Sequence, residues 1–183
     1  MYRLHSSWYL TDPLSTVFRL VALRFRRAIS GSTKDMKTRM VAYRALKRSG
    51  QDIYAIAKTF AKDPSPAIRR EAALAMRGRP ASEAAPVLIE VTKGWDGQDK
   101  NYLESIGLGC ENHESAVWTA MRDVFAKDGA LKWDDNFAKL TWRLWPAAAL
   151  SDLKARALAK ETTPEARAFA VESIAFIEEE AAA

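Results

Sequence analysis

Asp63-Pro64-Ser65-Pro66-Ala67-Ile68-Arg69-Arg70-Glu71-Ala72-Ala73-Leu74-Ala75 is the stretch that organises the chain. Its two prolines permit a turn that opens a helix: Asp or Ser offers an oxygen to free N–H groups, and proline is tolerated in the first turn. The same frame returns behind a second proline turn at Glu165-Ala166-Arg167-Ala168-Phe169-Ala170-Val171-Glu172-Ser173. Lys37-Thr38-Arg39-Met40-Val41-Ala42 fits it at Arg39, Asp99-Lys100-Asn101-Tyr102-Leu103 fits with Tyr102 in place of Arg, and Asn136-Phe137-Ala138 fits more loosely. The anchors 39, 69, 102, 137 and 167 are spaced by 30, 33, 35 and 30 residues. A period in the thirties made of two helices is the signature of an α-solenoid, an α-α superhelix.

Between the anchors the apolar residues keep helical spacing. Ile53, Ile56, Ala57 and Phe60 follow i, i+3, i+4, i+7, as do Ala84, Val87, Leu88 and Val91. Val117, Ala120, Met121 and Val124 repeat the pattern, and so do Phe137, Leu140, Thr141 and Leu144. No sustained period-two alternation requires a strand, so the fold class is all-α. Helices are expected near 14–29, 35–49, 51–62, 65–77, 82–93, 98–109, 113–127, 134–145, 147–160 and 163–178. Gly50, Gly78, Gly94, Gly109 and Gly129 fall where stripes end, as left-handed C-caps would. Thr162-Thr163-Pro164-Glu165 reads as a capped start, with Glu165 three residues after Thr162. The expected organisation is one domain over 1–183: a cap segment 1–13, about five helix pairs over 14–178 and a short tail 179–183.

Composition agrees. The 183 residues hold 32 Ala against 16 Val plus Ile, a balance that favours helix over sheet. Arg19 and Arg24 interrupt the longest apolar run, 14–25, so no membrane span is expected. The same arginines, with no small-residue cleavage site, argue against a signal peptide. A single cysteine, Cys110, excludes an internal disulfide, and two histidines cannot build a metal centre alone. The net charge of +5 is uneven: residues 1–93 carry 18 Lys/Arg and 7 Asp/Glu, whereas 94–183 carry 10 and 16. Such a dipolar split suits an anionic partner at one end or end-to-end self-complementarity. The glutamates at 178–180, set at the last helix's C-terminus against its dipole, suggest an array that continues beyond residue 183.

Asp63–Ala75, followed by Ala84-Ala85-Pro86-Val87-Leu88, resembles a HEAT repeat, whose second helix opens with a D-P-x-x-x-V-R type run. The resemblance covers roughly 35–178 and implies a fold rather than a function. Trp95-Asp96-Gly97-Gln98-Asp99, together with Trp142-Arg143-Leu144-Trp145-Pro146, is similar to the HEAT segment of large planctomycete-type haem-binding, dehydrogenase-like multi-domain proteins. This chain carries neither propeller-length sequence nor C-x-x-C-H, so that likeness implies at most a stand-alone or excised relative of the helical spacer. It implies a cytoplasmic location for a stand-alone chain and a periplasmic one for a fragment of that exported family.

Residues that carry chemistry elsewhere read structurally here. Cys110-Glu111-Asn112-His113 lacks the second thiol of a haem site; Cys110 continues the stripe Leu103, Ile106, Gly107, and His113 sits at a helix start. Asp96-Gly97-Gln98-Asp99 lacks the register of a calcium loop; Asp99 is expected to cap a helix and Gly97 to supply a turn. Asp134-Asp135 complements a helix dipole. No Walker, G-x-S-x-G, G-x-G-x-x-G or H-E-x-x-H motif occurs, so no enzyme, cofactor or metal is expected. Trp118, Trp142 and Trp145 read as core, and Trp8 as a cover for the array's first helix pair.

The candidate partner-binding surface is a basic strip through Arg39, Arg44, Lys47, Arg70 and Arg77, with Arg24, Arg26 and Arg27 on the first helix. In a solenoid the second helices of successive pairs line one face, where these cations would meet. The expected partner is a protein with an acidic surface; the alternative is a nucleic-acid phosphate backbone, as HEAT-like alkyl-purine DNA glycosylases bind. Against both stands a structural role, in which Arg39, Arg69 and Arg167 bond turn residues such as Asp35 and Asp63.

Overall fold

The computed structural model describes residues 35–177. The helix expected near 14–29, Trp8, Arg24, Arg26, Arg27 and the glutamates at 178–180 lie outside them. Two compact units divide between Ile56 and Ala57. The first contains α1 (Met36–Arg48) and the start of α2 (Ile53–Phe60). The second contains the rest of α2, then α3 (Pro66–Leu74), α4 (Ala81–Lys93), α5 (Lys100–Cys110), α6 (Glu114–Phe125), α7 (Asp135–Leu144), α8 (Leu150–Leu158) and α9 (Pro164–Ala175). Short 3-10 turns at Ala130–Lys132 and Ala147–Ala149 precede α7 and α8. The described chain is therefore all-α, without strands, and none of its helices is long and apolar enough to cross a membrane.

Helix starts follow from cap chemistry. The Asp35 carboxylate accepts from the N–H groups of Lys37 and Thr38, at 3.3 and 2.9 Å, and from the Thr38 hydroxyl at 2.6 Å. Those bonds to Thr38 hold its pKa below the ordinary carboxylate value. Asp99 and Asp134 do the same for α5 and α7, accepting from Tyr102 N–H at 3.0 Å and Phe137 N–H at 2.7 Å. At α9 the cap lies one residue later than the capping-box reading places it. Thr163 accepts from Ala166 N–H at 3.2 Å, while the Thr162 hydroxyl donates back to the end of α8. Pro164 then occupies the first helical position, where its missing N–H costs nothing.

Two of the expected left-handed glycine caps differ: Gly94 does end α4, but not in the left-handed region, and Gly109 is not a cap. Gly50, Gly78 and Gly129 have positive φ, but Gly94 has φ −93° and Gly109 lies inside α5. A Cβ on Gly109 would stand 2.6 Å from Ala73 O on α3 and 2.8 Å from Leu88 Cδ2 on α4. Its lack of a side chain sets how closely α5 can nest on both helices.

Within the second unit, helices pack on their neighbours but one. α3 rests on α5, α5 on α7 and α7 on α9; α4 rests on α6, and α6 on the 147–149 turn that leads into α8. The two rows meet through α3–α4, α4–α5, α6–α7 and α8–α9. Ile68, Ala72 and Ala73 of α3, Val87, Leu88 and Val91 of α4, Ile106 of α5, Val117 and Met121 of α6 and Leu140 of α7 are fully buried between them. Each large apolar side chain removed from water in this way contributes roughly 1.5–3 kcal/mol. In the first unit the buried face of α1 is Ala42, Tyr43 and Leu46.

Arg69 ties this packing together. Its Nη1 donates to Asp63 O at 2.7 Å and Pro64 O at 3.0 Å, its Nη2 to Gly94 O at 2.8 Å, and its Nε to Tyr102 Oη at 2.7 Å. Tyr102 passes the chain on, donating to Val91 O at 2.7 Å. The guanidinium also lies over the Tyr102 ring, 5.4 Å from its centre. Arg167 repeats the turn contact, bonding Thr162 O at 2.5 Å. At Arg69 and Arg167 the arginine–turn link expected from the sequence is present, but it uses backbone carbonyls; the Asp63 carboxylate instead accepts from Ser65 N–H at 2.8 Å.

Gly109→Ala should lower unfolding free energy by about 1–3 kcal/mol, because backbone and a buried leucine must yield to one methyl group. Urea denaturation with an unchanged m-value would show it; a change within roughly 0.5 kcal/mol would mean that α5 does not depend on this contact.

Candidate interaction surface

The cations of the expected strip are divided between the two units. Arg44 and Lys47 are exposed on α1 and Arg39 is half-buried there. Arg70 lies on α3, while Arg77 falls in the turn after it, because the helix stops at Leu74 and Gly78 takes φ +71°. Both face acids from the next helix pair. Arg70 Nη1 bonds Asp99 Oδ2 at 3.1 Å, using the carboxylate that also caps α5. Arg77 engages Glu111 through Nε and Nη2, the latter at 2.9 Å from Oε1, which holds the Glu111 pKa below its ordinary value. Arg143 with Glu104 at 2.8 Å and Arg122 with Asp152 at 2.7 Å continue the pattern. An exposed pair such as Arg77–Glu111 adds little stability but neutralises the charge that a partner would have to read, whereas the facing Nε and Oδ2 of Arg122 and Asp152 are buried.

A different surface is left open where α7 ends. Pro146 stops the helix, and Trp145 turns into the left-handed region at φ 46°, ψ 45°, its N–H donating to Thr141 O at 3.1 Å. The stripe reading placed Trp145 in the core; it is instead 45% exposed. Its ring stacks on Phe176, 5.5 Å between centres with planes 17° apart. Phe176, 43% exposed, meets Trp142 edge-on at 6.1 Å, and Trp142 stacks on Phe169 at 6.4 Å. Trp118 is in the core as expected, donating to Thr141 Oγ1 at 2.9 Å, and Trp133 packs edge-on against Phe137.

Trp145, Phe176, Leu144 and Ala147 line a cleft of about 540 Å³, with Glu114 and Ser115 on its wall from the start of α6. Glu114 accepts from Asn112 N–H at 3.0 Å, and Ser115 Oγ from Ala148 N–H at 3.3 Å. Aromatic faces beside a carboxylate can receive an apolar or a cationic side chain. The signal for this site in the sequence is Trp145-Pro146: the residue before a proline leaves the helix, and its side chain leaves the buried stripe with it.

The Asp96 carboxylate accepts from Gln98 and Asp99 N–H at 2.8 and 3.0 Å, which holds its pKa below the usual value, and Gly97 turns the chain at φ +78°. Among the described residues no three His, Cys, Asp or Glu side chains gather as a metal site would require. His113 is the N-terminal boundary residue of α6. Cys110 is fully buried, and burial, with the Glu114 charge adding to it, pushes its thiol up to about 12. Scans of the chain against protein-family models, curated proteins and solved structures return no match.

Cys110 should resist an aromatic disulfide reagent in the folded protein at pH 8 and react at once in denaturant, since only the thiolate attacks. A thiol that is ionised more readily unfolded than folded contributes stability below about pH 9, lost as pH climbs toward 12. Wild-type stability should therefore fall more steeply than that of Cys110→Ala across this window; parallel profiles would refute the assignment.

Proposed function

We infer that the chain is a helical-repeat interaction module of the HEAT type, binding rather than catalytic, and that the Trp145–Phe176 cleft is where it takes hold of a protein partner. Two features support the repeat reading. Helices pack on their neighbours but one, and the polar links between helix pairs join residues about one period apart. Arg70–Asp99 spans 29 residues, Arg69–Tyr102 33, Arg77–Glu111 34 and Arg143–Glu104 39. Neither feature by itself assigns a partner.

The observation that carries the choice of surface is the half-exposed Trp145 stacked on Phe176 above Glu114. Aromatic anchors in a preformed depression supply most of the energy of protein interfaces, and a surface that is already ordered spends less on binding. The fitting occupant is a partner segment presenting an apolar side chain next to Lys or Arg. The basic strip is the weaker candidate, because Arg70 and Arg77 would have to surrender Asp99 and Glu111 before meeting an acidic protein or a phosphate backbone.

Selection from a displayed random-peptide library should return basic–apolar sequences whose affinity drops at least about tenfold on Trp145→Gly. That variant gives up a ring stack of about 0.5–1.5 kcal/mol and the buried part of the indole, offset in part by relief of a left-handed backbone of about 1–2 kcal/mol, so urea denaturation must show it folded before its affinity is compared. Peptides that survive Trp145→Gly but are lost on Arg44→Glu with Arg70→Glu would return the function to the strip. A selection that enriches nothing would count against the module altogether.

A further inference from the structure

Arg156, in the last turn of α8, is 6% exposed and has no ion-pair partner among the described residues. Its Nη1 donates to Ala130 O at 2.6 Å, and its guanidinium carbon lies 5.0 Å from the centre of the Trp133 ring. Nε and Nη2 make no hydrogen bond among the described residues. These two atoms form the edge of the guanidinium that grips a carboxylate through two parallel bonds. Burial lowers the pKa and nearby Asp135 raises it, yet an arginine stays charged at any working pH. Nε and Nη2 carry three of the five guanidinium N–H groups, and a carboxylate could take them without displacing a bond within the protein.

Arg156 lines a cavity of about 530 Å³ in the second unit, separate from the Trp145 cleft. Ala138, Ala166 and Phe169 give it an apolar wall, and Lys139, Asp135 and Glu165 complete its charge. Lys139 Nζ is already engaged with Gly97 O at 3.1 Å. Asp135 and Glu165 are exposed in the first turns of α7 and α9, and Glu165's own N–H and the Thr163 side chain hold its pKa below the ordinary value. Two cations face two anions around an apolar wall. A dianion such as phosphate would be repelled by the carboxylates, and a simple amine by Arg156 and Lys139. A ligand bearing one charge of each sign can meet Arg156 with its anion and Asp135 and Glu165 with its cation.

We propose that this cavity binds a small zwitterion of the α-amino-acid class with an apolar side chain. The carboxylate sits on Nε and Nη2 of Arg156, the ammonium is held by Asp135 and Glu165, and the side chain lies against Phe169 and Ala138. The site is independent of the protein-binding surface and stands or falls separately.

Calorimetric titration of the full chain with L-phenylalanine and L-leucine tests it, with acetate, phenethylamine, 3-phenylpropionate and inorganic phosphate as controls. Saturable binding of the amino acids, with the controls much weaker, is the expected result. Arg156→Gln should weaken phenylalanine binding by roughly 10- to 100-fold, the worth of a charged hydrogen-bonded pair. Should that variant unfold, Asp135→Asn with Glu165→Gln decides, since both side chains are exposed. The pair should weaken phenylalanine about tenfold or more while leaving 3-phenylpropionate unchanged or improved. Phosphate or acetate binding as tightly as the amino acids, unaltered phenylalanine affinity in the folded variants, or no saturation by about 10 mM would overturn the proposal.

Discussion

The Arg69 guanidinium is the contact on which the second unit's geometry rests. Four of the five N–H groups in its rigid fork meet the turn before α3, the end of α4 and the first turn of α5, three segments that share no covalent neighbour. Gly94 leaves the space that the side chain occupies: a Cβ there would stand 2.5 Å from Arg69 Nε. Lysine, a single flexible point charge, has no equivalent way to satisfy four acceptors in one plane. Small residues then let the helices close around this centre, with Ala72, Ala73 and Gly109 where α5 comes down on α3.

Charge is distributed by the same logic. The sequence concentrates cations in its first half and anions in its second, and the fold sets Arg70 against Asp99 and Arg77 against Glu111, the two cap residues of α5. Two cations of the apparent basic strip, Arg70 and Arg77, are thereby paired within the molecule. Elsewhere in the second unit a stacked aromatic pair lies beside one carboxylate, and the Arg156 guanidinium lines a cavity.

The helices, the cap at Asp99 and the fully apolar stripe of α4 were legible in the sequence because each depends on residues within a turn or two of one another, whereas Asp35 reads as an acceptor for Arg39 and Asp134 as dipole charge, and both prove to be caps. What was not legible depends on distance. Glycine's two uses, positive φ and absence of bulk, look identical in a sequence, so Gly109 reads as a cap although it is a contact point. The partners of Arg70 and Arg77 lie 29 and 34 residues away, beyond any local pattern. Trp145 was misplaced for a nearer reason: the apolar spacing runs one residue past the point where Pro146 breaks the helix. Arg156 carries no local signature at all, since its burial comes from the 130–132 turn and Trp133, elements remote in the chain.

The reach of Arg69 also has a temporal side. A chain emerging from the ribosome makes α3 before α4 and α5, and at that moment only Asp63 and Pro64 are within the arginine's grasp. Gly94 follows 25 residues later and Tyr102 33 residues later, so the guanidinium fills its donor positions in the order of synthesis. Its full set of four bonds therefore cannot close before the first turn of α5 has been made.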